Sequence, residues 1–147
     1  FRQAQSSAII RNAHAVNLGM QPSFESNQGD FFFMPRRDPT RLVDTVVSLC
    51  ATRLPENMGV PASEIQVLSP TRKGECGTVN LNRALQAALN PPSASKRQKI
   101  WGDLVLREGD RVMQTKNNYD VVWQSRDGAM GAGIFNGDVG IIQSINI

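Results

Sequence analysis

Residues 67–89 read VLSPTRKGECGTVNLNRALQAAL, from Val67 to Leu89, and their reading decides the expected fold. Ile65, Val67 and Leu68 form a short apolar run of strand type. Ser69-Pro70 closes it, because proline cannot donate to a sheet ladder and restricts the residue before it. Thr71, Arg72, Lys73, Gly74 and Gly77 then make a basic loop that carries two glycines. From Thr78 the residues Leu81, Leu85, Ala88 and Leu89 recur at helical spacing, and Asn90-Pro91-Pro92 stops the helix. This order places the basic loop at a helix N-terminus, where free N–H groups and the helix dipole favour an anion. The expected guest is a phosphate of a nucleic-acid backbone. A Walker-type ATP loop needs G-x-x-x-x-G-K-[ST], and TRKGECGT lacks its terminal Lys-Ser/Thr pair. An ordinary solvated turn between strand and helix is the other reading of the same residues.

Upstream, Phe1 to Leu18 has a helical pattern, with Ala8, Ile9, Ala13 and Val16 near one face and Gly19 as a natural C′ residue. His14 is the only histidine, and without Cys or acidic partners nearby it reads as a helix residue and not as a ligand. Asp30-Phe-Phe-Phe-Met34 reads as a buried strand of the kind covered on both faces in parallel sheets. Asp38-Pro39 is a helix start, with Leu42, Val43, Val46, Leu49 and Cys50 as the buried face and a stop before Pro55. Helix, strand, helix, strand, loop and helix in this order predict an α/β fold with a parallel sheet and right-handed crossovers.

Downstream the pattern changes. Pro91 to Gln98 is a loop beside the basic cluster Lys96, Arg97 and Lys99. Leu104 and Leu106 lead into a turn at Arg107-Glu-Gly-Asp110, and a strand is expected over Arg111–Thr115. Lys116–Asp120 reads as a polar segment, Arg126–Gly133 as a glycine-rich tip and Asn136-Gly-Asp138 as a tight turn. A last strand is expected over Val139–Ile147, so the C-terminal third reads as mostly β. The expected division is residues 1–118 for the α/β part and 119–147 for the β-rich part.

With 147 residues the chain is long enough for one real core. Sixteen Lys and Arg against thirteen Asp and Glu give a net charge of +3 without a polybasic tail, which permits nucleic-acid binding without demanding it. Cys50 and Cys76 do not make a metal set and suit a reducing cytosol. No run is apolar enough to span a membrane, and no signal peptide is visible, so a cytoplasmic protein is expected. The chain opens on Phe-Arg-Gln without an initiator Met and ends within an apolar strand pattern, which is the expectation for a piece of a longer protein.

Several longer stretches resemble one family in order. FRQAQSSAIIRNAHAVNLG is similar to its motif IV region, and VLSPTRKGECGTVNLNRALQAALNP to the DNA-contacting motif that follows. REGDRVMQTKNNYD and GIFNGDVGII are similar to the segment entering its accessory β domain. The chain thus resembles the second motor domain of a RecD-like superfamily 1B DNA helicase, the group that includes the exonuclease V alpha subunit. The resemblance implies part of a RecA-like lobe over 1–118 and the start of an incomplete SH3-like accessory domain over 119–147. It implies an ATP-dependent 5′–3′ helicase of DNA repair and recombination, with ATP and Mg²⁺ as cofactors of the full-length parent. Arg2, as a fixed cation with fork geometry, would reach the ATP γ-phosphate, with Gln3 beside it. Thr71, Arg72, Lys73, Gly74, Gly77, Thr78 and Asn80 would hold single-stranded DNA, and Asn117, Asn118 and Tyr119 would offer amides and a stacking face. The implied partners are single-stranded DNA, the first motor lobe of the same parent and other exonuclease V subunits. Walker A, Walker B and a motif VI arginine are missing from these 147 residues, so the piece alone is expected not to hydrolyse ATP or to bind cofactor or metal. A non-catalytic nucleic-acid-binding module that keeps the same loops is the alternative.

Overall fold

Asp30 organises the first part of the chain by capping a helix it does not belong to. In the computed structural model, which describes residues 7–24 and 29–146, helix α1 spans Ala8–Asn17 with Ser7 as its N-cap. An Asp30 carboxylate oxygen accepts from the Ala8 and Ile9 amides at 2.9 and 3.4 Å, and the other accepts from Ser7 Oγ. The Ser7 hydroxyl and these helix amides hold its carboxyl below the usual aspartate range. Gly19 ends the helix at φ 72°, the left-handed conformation glycine adopts without steric strain. The Asn12 side chain exchanges hydrogen bonds with the Ser23 backbone at 2.9 and 3.1 Å. Phe24 stacks on Phe33 with ring centroids 4.1 Å apart. These contacts lie within one compact unit, Phe1–Asp38, and Pro39–Ile147 forms the second.

The second unit opens with α2, Pro39–Ser48, which continues through a π-helical turn at Leu49–Arg53 into α3, Leu54–Met58. The expected stop before Pro55 does not occur. Pro55 falls in the first turn of α3, where a missing N–H costs little, and the π turn before it absorbs the change of pitch. Gly59 ends α3 at φ 65°. Helix α4 covers Thr78–Leu89 as the spacing predicts, and it packs against α2 and the π turn. Cys50 and Leu81 are the buried apolar residues of this unit, and burial raises the Cys50 thiol pKa.

Among the described residues all strands lie beyond α4. β1 (Gln98–Trp101) and β2 (Leu104–Arg107) form an antiparallel hairpin around Gly102-Asp103. β4 (Asn118–Gln124) and β5 (Met130–Ile134) form a second, with an irregularity between Asn118 and Val122. β3 (Arg111–Met113) pairs antiparallel with β6 (Val139–Ile141), enclosing the second hairpin in sequence. Gly109–Ile142 and Gln114–Asp138 backbone bonds extend that ladder at both ends.

This corrects the expected α/β fold, a partial RecA-like lobe with a parallel sheet and flanking helices. Among the described residues every sheet has two antiparallel strands. Asp30–Met34 and Ile65–Leu68 are not strands. Phe32 and Phe33 are about half exposed and Leu68 is 88% exposed. An apolar run becomes a strand only where a neighbour completes its ladder. The Ile65 carbonyl instead accepts from the Arg111 guanidinium at 3.1 Å. The last strand is also shorter than expected, and β4 begins inside the segment read as polar.

What ties α4 to the β strands is polar. Asn90 caps α4, its N–H donating to the Gln86 carbonyl at 2.9 Å. Its side-chain amide donates to the Glu108 carbonyl at 3.1 Å and to Asp110 Oδ1 at 2.7 Å, and its side-chain oxygen accepts from Lys96 Nζ. Asp110 Oδ2 accepts from the Arg107 amide at 2.8 Å and from Gln86 Nε2 at 2.6 Å. The Arg107 guanidinium closes the circuit on the Asn90 carbonyl and on Gln98 Oε1. Asn90, Arg107 and Asp110 are all buried, so removing any one of them would leave a polar group without water. Beside them, Glu108 accepts from the Arg97 and Ile145 amides, both at 2.9 Å.

Asp110→Ala is expected to cost about 3 kcal/mol in urea unfolding, since it strands buried donors at once, while Asp127→Ala on the exposed tip stays near zero. Glu108 supplies a pH dependence. The Arg97 amide first, then the Ile145 amide, hold its carboxyl below the ordinary glutamate range. A depressed carboxyl stabilises the fold above its unfolded pKa and loses that contribution as the pH falls through its folded value. Glu108→Gln is therefore expected to be less stable than the parent at about pH 7, with the difference shrinking as the pH falls below the ordinary glutamate range, read from unfolding midpoints.

Candidate nucleic-acid interface

The loop before α4 is built from its own backbone. Ser69 Oγ donates to the Cys76 carbonyl at 2.8 Å and accepts from the Thr71 amide at 3.3 Å. The Gly77 amide donates to the Gly74 carbonyl at 3.1 Å. Gly77 is the N-cap of α4, and a Cβ there would stand 2.5 Å from the Lys73 carbonyl oxygen and 2.6 Å from that of Arg72. Only glycine allows that approach. Gly74 has φ 87° with open space around it, so its requirement is conformational.

This closure changes how an anion could be held. The first two amides of α4, on Thr78 and Val79, donate to the Thr71 and Arg72 carbonyls at 3.0 and 3.3 Å. They are the donors that a phosphate at a helix N-terminus would use. Any anion at this loop therefore meets side chains first. Arg72, Lys73 and Gly74 line a concavity of about 420 Å³ with Val79, Asn80, Arg83 and Asp103. Arg72, Lys73 and Arg83 make no side-chain hydrogen bond or ion pair among the described residues, and Asp103 is the one carboxylate that lines the hollow with them. Across Gly74 and Asn80 lies a second concavity, of about 400 Å³, whose charged residues are Asp44 and Glu75. The two hollows thus differ in sign.

The structure therefore brings Arg72, Lys73, Gly74 and Asn80 together. Thr71, Gly77 and Thr78 take part through their backbone. The Asn80 amide also donates to the Glu75 carbonyl at 2.8 Å and so braces the loop. Arg83 joins from α4, and its place three residues after Asn80 on a helix was a readable signal. Asn117, Asn118 and Tyr119 do not line this concavity. Asn117 Oδ1 accepts from the Asn136 amide at 2.8 Å and its amide donates to Tyr119 Oη at 3.2 Å. Asn118 Oδ1 accepts from the Asp120 amide at 3.1 Å. Tyr119 meets Phe135 edge-on at 5.8 Å and is 68% exposed. Asn117 thereby ties β4 to the Asn136-Gly-Asp138 turn, where Gly137 has φ 97° and Asp138 accepts from the Phe135 amide at 2.7 Å. Arg2 and Gln3 lie outside the described residues. His14 is exposed on α1. Among the described residues no group of three or more His, Cys, Asp or Glu could hold a metal ion, and no helix is long and apolar enough to cross a membrane.

Residues 81–147, from α4 through β6, match the family described as the SH3 domain of ATP-dependent RecD-like DNA helicases. Over 142 residues the chain is 31% identical to an ATP-dependent RecD2 DNA helicase of Deinococcus radiodurans, a match that covers 97% of this chain and 17% of that protein. Together these similarities support a relation to the RecD-like ATP-dependent DNA helicases. The Asn90–Arg107–Asp110 network and the six strands of the described residues fall within the SH3 match.

Gly77→Ala is expected to open the loop, because the neighbouring atoms are backbone and cannot swing away. The loss is about 1–3 kcal/mol of stability, with earlier proteolysis between Ser69 and Thr78. Gly74→Ala meets no atoms and is expected to cost about 1 kcal/mol for its left-handed φ alone.

Proposed function

We propose that this chain is a DNA-contacting part of an ATP-dependent helicase and that it holds single-stranded DNA by its phosphates. The observation that carries this reading is the group of three cations, Arg72, Lys73 and Arg83, against one carboxylate, Asp103, around one concavity beside an acidic one. A strand of phosphates is drawn to the first and repelled from the second, which favours one path across the loop. The relation to RecD-like helicases supplies the class of partner. Because the Thr78 and Val79 amides are engaged, the grip is one of side-chain charge, sequence-independent and sensitive to salt.

In the full-length parent, ATP and Mg²⁺ would supply the energy for movement, with Arg2 and Gln3 as the contacts proposed from the motif IV resemblance. The 5′–3′ direction, a role in repair, and assembly with the rest of the parent or with exonuclease V subunits are proposals on the same footing.

The test is binding of a fluorescent single-stranded oligonucleotide across a salt series. Affinity is expected to fall as salt rises. The double variant Arg72→Ala/Lys73→Ala is expected to flatten the slope of log affinity against log salt, by about 0.7 for each phosphate no longer neutralised. An unchanged slope in a folded double variant would remove these residues from the interface.

A further inference from the structure

Trp101 stands at the end of β1 and is 75% exposed, more than any other aromatic side chain described. It is the residue before the Gly102-Asp103 turn, and Gly102, at φ 59°, lets the hairpin reverse there. Asp103 lines the same concavity as Arg72, Lys73 and Arg83. The indole is therefore rooted two residues from the rim of the basic hollow. The other tryptophan is engaged differently. Trp123 donates its N–H to the Gly133 carbonyl at 3.1 Å, and its ring lies over Gly131, where no Cβ would fit. Tyr119 is engaged with Asn117 and Phe135.

An exposed indole two residues along the chain from a hollow lined by three cations offers the two kinds of contact that a nucleotide uses. A base offers a π face to an aromatic ring, and its phosphate offers charge to Arg and Lys. The hollow, at about 420 Å³, lies within the roughly 300–1,000 Å³ of ordinary small-ligand sites. Asp103 is the one carboxylate among its lining residues.

We infer that Trp101 and the hollow form a single nucleotide subsite for single-stranded DNA, the indole stacking a base and Arg72, Lys73 and Arg83 holding the adjoining phosphate. This rests on the phosphate-binding reading above and adds a base contact that the basic loop alone does not supply. The subsite joins α4 and its loop to the β1–β2 hairpin, and the buried network of Asn90, Arg107 and Asp110 fixes the one to the other.

The experiment uses the Trp123→Phe chain, checked for folding by circular dichroism, so that Trp101 is the sole indole. An oligothymidylate strand and an abasic strand of equal length are titrated at low salt while emission is read. Oligothymidylate is expected to quench the emission, and the abasic strand, which keeps the phosphates, is not. In the parent chain Trp101→Ala is expected to weaken oligothymidylate binding about 5- to 100-fold without changing the salt slope, Trp101→Phe to restore most of it, and Asp103→Asn to tighten it. Salt-dependent binding that persists with no quench and no weakening in Trp101→Ala overturns the base contact and leaves the phosphate reading standing. No binding by the folded parent chain at low salt overturns both.

Discussion

The carboxylate of Asp110 is the constraint on which the second unit depends. Three donors from different places converge on it: Gln86 from within α4, Asn90 from its end, and the Arg107 amide from β2. The apolar core is small, with Cys50 and Leu81 as the buried apolar residues of this unit, so hydrophobic burial alone does not fix how the helix meets the strands. A directional network does. In a low-dielectric setting such a network is stable only when every member is satisfied, and here the Asn90 carbonyl, side-chain oxygen and amide all have partners. Gly109 belongs to the same device. It has φ 92°, and its open face receives the Asn90 side chain at 3.3 Å from where a Cβ would be.

The basic loop is held together on a different principle. Its carbonyls satisfy the first amides of α4, so the loop is stable without any ligand. The charge of Arg72, Lys73 and Arg83 is then left to face outward. The proposed phosphate grip, made by side chains in place of helix amides, would tolerate any base sequence. The hollow that carries Asp44 and Glu75 shares Gly74 and Asn80 with the basic one, in a chain whose net charge is only +3.

Local signals were legible where they were strong. The spacing of Leu81, Leu85 and Leu89 and the Asn90-Pro91-Pro92 stop located α4, and Asp38-Pro39 located the start of α2. Gly19 and Asn136-Gly-Asp138 behaved as turn residues, with Gly19 and Gly137 taking the positive φ that glycine adopts freely. The expected parallel sheet does not form among the described residues, because Asp30–Met34 and Ile65–Leu68 have strand-like composition without strand partners. Pro55 misled for a related reason. Proline breaks a helix interior, but whether a position is interior depends on the π turn before it.

By itself the sequence determined the helix periods, the turn residues, the basic loop and the likeness to RecD-like helicases, all of which are properties of neighbours along the chain. Tertiary structure decided which strands pair and that Asp110, twenty residues after Asn90, becomes its partner. It also decided that Arg83 and Asp103 stand with Arg72 and Lys73 around one hollow. The physical reason is that hydrogen bonds and charges act through space over a few ångströms, whatever the separation along the chain.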